Sequence, residues 1–143
     1  MVASKPLLEL RFAVVGNDFI QAGEASSKIK RALQQIGLES KLIRRVAVIS
    51  YEAEMNIVIH AKRGEIILSI WPDLVQIIAE DIGPGISDIA LAMQVGYSTA
   101  PASVRQMGFG AGMGLPNMQK CADDMQVETV IGEGTRIVAK VNL

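Results

Sequence analysis

Glu52 and Asn56 are the two side chains in this sequence best placed to do chemistry together. Apolar residues recur around them at helical spacing, which predicts a helix capped by Glu39 or Ser40. Side chains four apart on a helix project about 40° from each other, so both fall on one shoulder of the apolar face. A carboxylate and an amide at that border can activate a nucleophile or hold a metal-bound water. An ordinary solvated pair is the alternative.

A second candidate site follows directly on a strand-like run. Asp81 stands where that run ends, and Gly83, Pro84 and Gly85 follow it. The carboxylate can accept a hydrogen bond from an exocyclic amine, while the glycines let a flat ring such as a purine lie against the backbone. A Gly-Pro turn in which Asp81 only caps the local chain is the alternative.

Glycine occupies every second position in a third stretch, at Gly108, Gly110, Gly112 and Gly114. Such a run brings backbone amides close to a ligand or takes positive φ, and a predicted helix opening at Leu115 directs its unpaired N–H groups at the same spot. We therefore expect an anion, a phosphate above all. A flexible loop before a helix is the alternative. Residues 96–113 show little periodicity and predict a mobile loop of functional length.

Composition excludes several classes of protein. The chain of 143 residues fits a single domain over residues 1–143. Its 14 basic and 15 acidic residues form no basic block, which argues against nucleic acid or a membrane surface as the main partner. One cysteine, an N-terminus unlike a signal peptide and no membrane-spanning apolar run predict a cytoplasmic protein. With one cysteine and one histidine there is no zinc cluster, and neither a P-loop nor a dinucleotide fingerprint in its proper context occurs.

The periodicities predict the order β-α-α-β-β-α-loop-α-β-β. Strands are predicted over Leu7–Val15, Glu65–Trp71, Leu74–Glu80, Gln126–Ile131 and Thr135–Val141. Helices are predicted over Phe19–Ile36, from Glu39 or Ser40 to His60, from Ser87 or Asp88 to Gln94, and over Leu115–Asp124. Asp18 is the expected N-cap of the first helix and Gly37 its stop. This order favours an α+β fold, a two-layer sandwich of a mixed, mostly antiparallel sheet with helices on one face.

Taken in this order, the motifs resemble those of the GHKL (Bergerat-fold) ATP-binding domains of histidine kinases, gyrase, Hsp90 and MutL. Residues 52–61 resemble the N box, 81–86 the first glycine box, 108–115 the second, and 132–135 the closing threonine box. The resemblance covers nearly the whole chain.

The resemblance implies a role for each motif. Glu52 is the general base or positions the nucleophile, Asn56 ligates magnesium, and Asp81, beside Gly83 and Gly85, reads the amino group of adenine. The second glycine box, from Gly108 to Leu115, binds the phosphates of ATP under a lid, and Thr135 helps to close the adenine pocket. Arg105, the cation of that lid, is a candidate contact to the γ-phosphate.

Within the family, a bare nucleotide domain is the layout of bacterial anti-sigma factors and switch kinases, since the chain leaves no room for a transducer domain or a histidine-bearing dimerisation helix. Residues 96–99, 110–116 and 132–135 most resemble the stressosome switch kinases. This implies an ATP- and magnesium-dependent serine/threonine kinase acting on a STAS-domain antagonist or stressosome-type scaffold in a partner-switching pathway. A sigma factor and a PP2C-type phosphatase are further candidate partners, and a homodimer is a candidate assembly.

Two other functions fit the same motifs. One is a nucleotide-dependent binding module, either an anti-sigma factor or a phosphatase activator, with little or no phosphotransfer. The other is a detached sensor-kinase ATPase that needs a separate histidine-bearing partner. Label transfer from ATP to a STAS protein distinguishes the kinase from the module.

Overall fold

The computed structural model describes residues 4–94 and 114–143. In chain order its elements are β1 (Leu8–Val15), α1 (Glu24–Gln35), α2 (Ser40–His60), β2 (Arg63–Trp71), β3 (Leu74–Ile82), α3 (Ile89–Ala92), α4 (Gly114–Cys121), β4 (Asp124–Val130) and β5 (Gly134–Asn142). The predicted order of elements is confirmed for the described residues. The predicted loop over residues 96–113 lies outside the described part of the chain.

The described strands form one five-stranded sheet in the order β1-β2-β3-β5-β4. Every neighbouring pair is antiparallel. The C-terminal hairpin therefore enters the sheet with β5 beside β3, so that β4 becomes an edge strand. The expected α+β class is confirmed, and the sheet of the described strands is fully antiparallel rather than mixed.

Strand register collects the apolar side chains onto one face of the sheet. One row across the strands reads Phe12, Ile66, Ala79, Ile137 and Val127, and the next reads Leu10, Leu68, Ile77, Ala139 and Met125. Side chains alternate between the two faces of a strand, so both rows project to the same side. The helices contribute Ile29, Leu33, Val46, Ile49, Ile57 and Met118 to the same buried cluster. All three longer described helices thus cover one face, as expected.

The opposite face of the sheet carries charged side chains in ion pairs. Arg11 lies 3.0 Å from Glu65, and Arg136 lies 2.9 Å from Glu80. Exposed pairs of this kind contribute about 1 kcal/mol at most, so they keep this face polar more than they stabilise it. No helix among residues 4–94 and 114–143 is both long and apolar enough to cross a bilayer.

Helix α1 begins later than the apolar spacing predicts. Its N-cap is Gly23, at φ 96°, and residues 19–23 form turns. The proposed Asp18 cap was wrong, because that carboxylate accepts from the N–H of Gln21 at 3.2 Å within a preceding turn. The stop at Gly37 is confirmed: its φ is 79°, and its N–H donates to the Gln34 carbonyl in a Schellman-type end.

Helix α4 ends at Cys121 rather than at Asp124. The Nε of Arg45 donates to the Cys121 carbonyl at 2.8 Å, and the Asp123 N–H donates to the Lys140 carbonyl at 2.8 Å. The chain is therefore already paired with β5 at the point where the helical spacing would have continued. Strand β4 accordingly starts at Asp124, earlier than expected.

Candidate functional site

Helix α2 places Glu52 and Asn56 where the spacing predicts, half-buried beside the core. Ala53 and Ile57, which follow them in sequence, are 1% and 2% exposed and fix the helix against the sheet. Both polar side chains therefore edge the core from one side of α2. His60, at the end of the helix, is also half-buried, and burial lowers its pKa.

The carboxylate of Glu52 lies at the N-terminal end of α4. A Cβ added at Gly114 would stand 3.3 Å from a Glu52 carboxylate oxygen. The side chain of Asn117, one turn further along α4, is near enough to affect the same carboxylate. Burial raises the pKa of Glu52, and Asn117 opposes that rise. A carboxylate with a raised pKa beside a helix N-terminus is suited to accept a proton near a bound anion.

Asp81 lies near the end of β3, which continues to Ile82 and so past the predicted strand end. Its Oδ1 accepts from the Thr135 N–H at 3.1 Å. Burial raises the pKa of Asp81, and this backbone hydrogen bond opposes the rise. A carboxylate has room for about four donors, so one bond to Thr135 leaves acceptor capacity for a ligand.

The loop after β3 and the turn before β5 form one hydrogen-bonded unit. The Gly83 N–H donates to the Glu133 carbonyl at 3.0 Å, and the Gly132 N–H donates to the Pro84 carbonyl at 2.9 Å. The structure thus brings the first glycine box and the threonine box together, as the resemblance implies. Gly85 has φ 79°, so a left-handed turn requires glycine there.

Thr129 on β4 also belongs to this hydrogen-bonded unit, and the sequence analysis missed it. Its hydroxyl accepts from the Ile86 N–H at 2.8 Å and lies 3.2 Å from the hydroxyl of Thr135. Thr135 itself is buried. Thr129 therefore ties the loop after β3 to the start of β5. A threonine in an alternating strand carries no local signal for such a bond.

Glu54, the second carboxylate of this helical turn, is 2% exposed and structural. It accepts from the N–H groups of Gly23 at 3.0 Å, Ala25 at 3.2 Å and Ser26 at 3.0 Å. Gly23 has no side chain to cap α1, so a carboxylate from α2 performs that function. The sequence analysis did not foresee this capping role.

Helix α2 therefore runs alongside both parts of the candidate site, which are the approach of Glu52 to α4 and the loop after β3. Glu52 meets α4 through Gly114, while a Cβ at Gly83 would lie 3.0 Å from the Cα of Ala61 at the other end of α2. Residues 52 and 61 are separated by about 14 Å at the rise of a helix. Asn56 lies between them. Gly108, Gly110, Gly112 and Arg105 fall outside the described residues.

Within residues 4–94 and 114–143, no three acidic, histidine or cysteine side chains group together to hold a metal. Asn56 offers one amide oxygen instead, and the Glu52 carboxylate one turn away can hold a metal-bound water. This sparse oxygen set fits magnesium, which keeps several waters and takes further oxygens from phosphates, better than it fits zinc or calcium.

Comparison with known proteins decides the family. The family model for the histidine kinase-like ATPase domain matches residues 17–141, which contain every segment of the site described above. The chain belongs to this family. The resemblance of the four motifs to GHKL domains is thereby confirmed.

Proteins from Bacillus and Clostridium are similar to this chain in sequence. The serine/threonine-protein kinase RsbT of Bacillus subtilis (strain 168) is 32% identical over 114 residues, covering 77% of this chain and 80% of that protein. The anti-sigma F factor of Clostridium kluyveri is 37% identical over 94 residues, or 62% of this chain and 63% of the relative. That of Clostridium novyi (strain NT) is 35% identical over 98 residues, or 64% and 65%.

Replacing Gly134 with alanine tests whether the hydrogen bond between the Asp81 carboxylate and the Thr135 N–H matters for ATP binding. A Cβ at Gly134 would overlap the carbonyl oxygen of Asp81, so β5 must move and carry the Thr135 N–H away from the carboxylate. We expect Gly134→Ala to weaken ATP binding roughly tenfold or more, which is about 1.4 kcal/mol, in titration calorimetry.

Gly132→Ala is the matched control for this substitution. It introduces strain at φ 81° in the same turn but meets no atom within 4 Å. Equal ATP affinities for the two alanine variants would contradict the role given to the close approach at Gly134.

Proposed function

We propose that this protein is a serine/threonine protein kinase that uses ATP and magnesium to phosphorylate a STAS-domain antagonist or scaffold protein in a partner-switching pathway. One observation carries the proposal: the half-buried Glu52 carboxylate lies against the N-terminal end of α4, beside Gly114. A proton acceptor and a phosphate-binding helix terminus are thus adjacent. The similarity to a serine/threonine-protein kinase over 77% of the chain supports the same reading.

Asp81 and the glycines around it are proposed to bind the base of ATP. The carboxylate accepts from the exocyclic amine of adenine, while Thr135, whose N–H holds Asp81 in place, closes the pocket on one side. Gly83 and Gly85 bring backbone rather than side chains to the ring. Ionised Asp81 gains a donor on binding, which opposes the effect of burial on its pKa.

The phosphates are proposed to lie along α2 towards α4. The backbone N–H groups of the run Gly108, Gly110, Gly112 and Gly114, together with Leu115 at the start of α4, bind the β- and γ-phosphates. Arg105 is proposed as a contact to the γ-phosphate. Asn56 supplies the protein oxygen for magnesium, which when bound neutralises charge on the phosphate oxygens.

In the proposed reaction Glu52 accepts the proton of the partner's serine or threonine hydroxyl. The hydroxyl oxygen forms a bond to the γ-phosphorus, the bond from that phosphorus to the bridging oxygen breaks, and ADP leaves with the bond's electron pair. Positioning and charge stabilisation by the phosphate-binding amides provide most of the acceleration. A sigma factor, a PP2C-type phosphatase and a second copy of the chain are proposed as further binding partners.

Transfer of radiolabel tests this function. The protein is incubated with magnesium, ATP labelled at the γ-phosphate and a STAS-domain protein encoded beside it, and the label is located by mass spectrometry. We expect label on one serine or threonine of the partner, and none on a partner in which that residue is alanine. Tight nucleotide-dependent binding without label would instead identify a binding module, in keeping with the anti-sigma F factor relatives.

A further inference from the structure

Two threonines stand at the end of the helix-covered face of the sheet. Thr129 on β4 pairs directly with Thr135 on β5, and Val127 pairs with Ile137 in the adjacent row of the same two strands. That adjacent row belongs to the apolar core. Residues two apart on a strand project to the same face, so both threonines face the helices as the core row does. They therefore lie at the boundary between the core and the proposed base-binding site at Asp81.

Hydrogen bonds connect the two threonines to the loop after β3 and to Asp81. The Ile86 N–H donates to the Thr129 hydroxyl at 2.8 Å. The same hydroxyl oxygen lies 3.2 Å from the Thr135 hydroxyl and 3.2 Å from the Gly134 carbonyl oxygen. The Thr135 N–H donates to the Asp81 carboxylate at 3.1 Å. Thr129 thus joins the loop to the residue that holds Asp81.

The direction of the Thr129 proton decides what the Thr135 hydroxyl can offer a ligand. A hydroxyl has one proton to donate and two lone pairs that accept. The Ile86 N–H occupies one lone pair of Thr129, so the Thr129 proton goes either to Thr135 or to the Gly134 carbonyl. Donation to Thr135 leaves the Thr135 proton for a ligand. Donation to Gly134 lets Thr135 donate back to Thr129, and a ligand then meets lone pairs alone.

Adenine requires the first of these two arrangements. Its edge presents the N6 amine, a donor, beside ring N1, an acceptor. An ionised carboxylate can only accept, so Asp81 suits the amine and the group beside it must donate to N1. Guanine presents the reverse order, a carbonyl oxygen beside an N–H group. A Thr135 hydroxyl that donates therefore favours adenine over guanine.

We propose that Thr129 is a positioning residue for base recognition, which donates to the Thr135 hydroxyl and so leaves the Thr135 proton for ring N1 of adenine. This inference rests on the proposed binding of ATP at Asp81. Thr135 is 6% exposed, so its hydroxyl reaches N1 directly or across one bridging water. Thr129 does not touch the base and acts through Thr135.

Thr129→Val, which keeps the shape of the side chain but removes the hydroxyl, tests the inference. The measurement compares the affinities of ATP and 1-deaza-ATP, in which a C–H group replaces ring N1 and the amine is kept. We expect the wild type to bind ATP about twofold to tenfold more tightly than 1-deaza-ATP, the range for one hydrogen bond. In Thr129→Val this ratio falls to about one. A variant that loses affinity equally for both nucleotides would have only a structural role at Thr129 and would overturn the inference.

Four further variants separate the hydroxyl from the rest of the side chain. Thr129→Ser restores the wild-type ratio, whereas Thr129→Ala and Thr135→Val both give a ratio of about one. Glu128→Gln is the matched control, since it changes an exposed side chain on the opposite face of β4 and keeps the wild-type ratio. Circular dichroism establishes that the compared variants are folded.

Hydrogen exchange without nucleotide separates failure of this inference from failure of the proposed function. We expect the Ile86 amide to exchange faster in Thr129→Val, because it has lost its acceptor. An unchanged rate would contradict the hydrogen bond on which the inference depends. A wild type that binds ATP and 1-deaza-ATP equally would overturn the inference and leave ATP binding intact. A wild type that binds no ATP would overturn the proposed function, and base recognition by Thr135 with it.

Discussion

Glu52→Gln is expected to lower the rate of phosphotransfer to the partner about a hundredfold or more, because a positioned general base contributes about 10²-fold to 10⁴-fold. Glutamine keeps the size of the side chain but cannot take up the proton of the hydroxyl. ATP should bind with affinity close to that of the wild type. The measurement is a single-turnover assay with the ATP complex formed in advance.

Glu39→Gln provides the matched control for this variant. It makes the same chemical change at the exposed N-cap of α2, about 20 Å from Glu52 at the rise of a helix. We expect the control to transfer phosphate at the wild-type rate. A Glu52→Gln protein within twofold of that rate would remove Glu52 from the chemical step and leave it a structural carboxylate.

Glu54→Ala is expected to reduce the free energy of unfolding by about 3 to 5 kcal/mol. The substitution leaves three N–H groups at the start of α1 without their acceptor, and bonds to a charged group are worth about 1.5–3 kcal/mol each before relaxation. Glu54→Gln keeps an acceptor oxygen but turns an NH₂ group toward these donors, so we expect a smaller loss of about 2 kcal/mol. Urea denaturation measures both.

Glu24→Ala is the control for the capping role. Glu24 lies in the first turn of α1, where the interaction of a carboxylate with the helix dipole is worth about 0.3–1 kcal/mol. If Glu54→Ala were no more destabilising than Glu24→Ala, the three hydrogen bonds would not be the cap of α1.

The sheet and α2 could be predicted from the sequence because their patterns are local. Alternation in β1 and the long apolar spacing of α2 each specify one buried face, and the register of the strands then aligns these faces without further information. Glu52, Asn56 and Asp81 were proposed from the same kind of pattern. Each stands at a fixed place relative to such a pattern.

The residues that were missed are defined by contacts between elements. The start of α1 depends on Glu54, which is distant in sequence, so the apolar spacing from Phe19 onward extended the predicted helix too far. Asn117 and Thr129 likewise act across elements, on Glu52 and on the Ile86 amide. No spacing within α4 or β4 encodes those partners.

Three consecutive residues of α2 contact three different parts of the protein. Glu52 faces α4, Ala53 is buried against the sheet, and Glu54 caps α1. An insertion or a deletion at position 53 would turn one part of the helix by about 100° against the other, and a larger side chain would push the helix off the core. Either change would disturb the proposed base and a folding contact at once. Natural variants of this segment should therefore keep its length, so that the three side chains keep their directions around the helix. Among random mutants in this segment, loss of activity and loss of solubility should appear together.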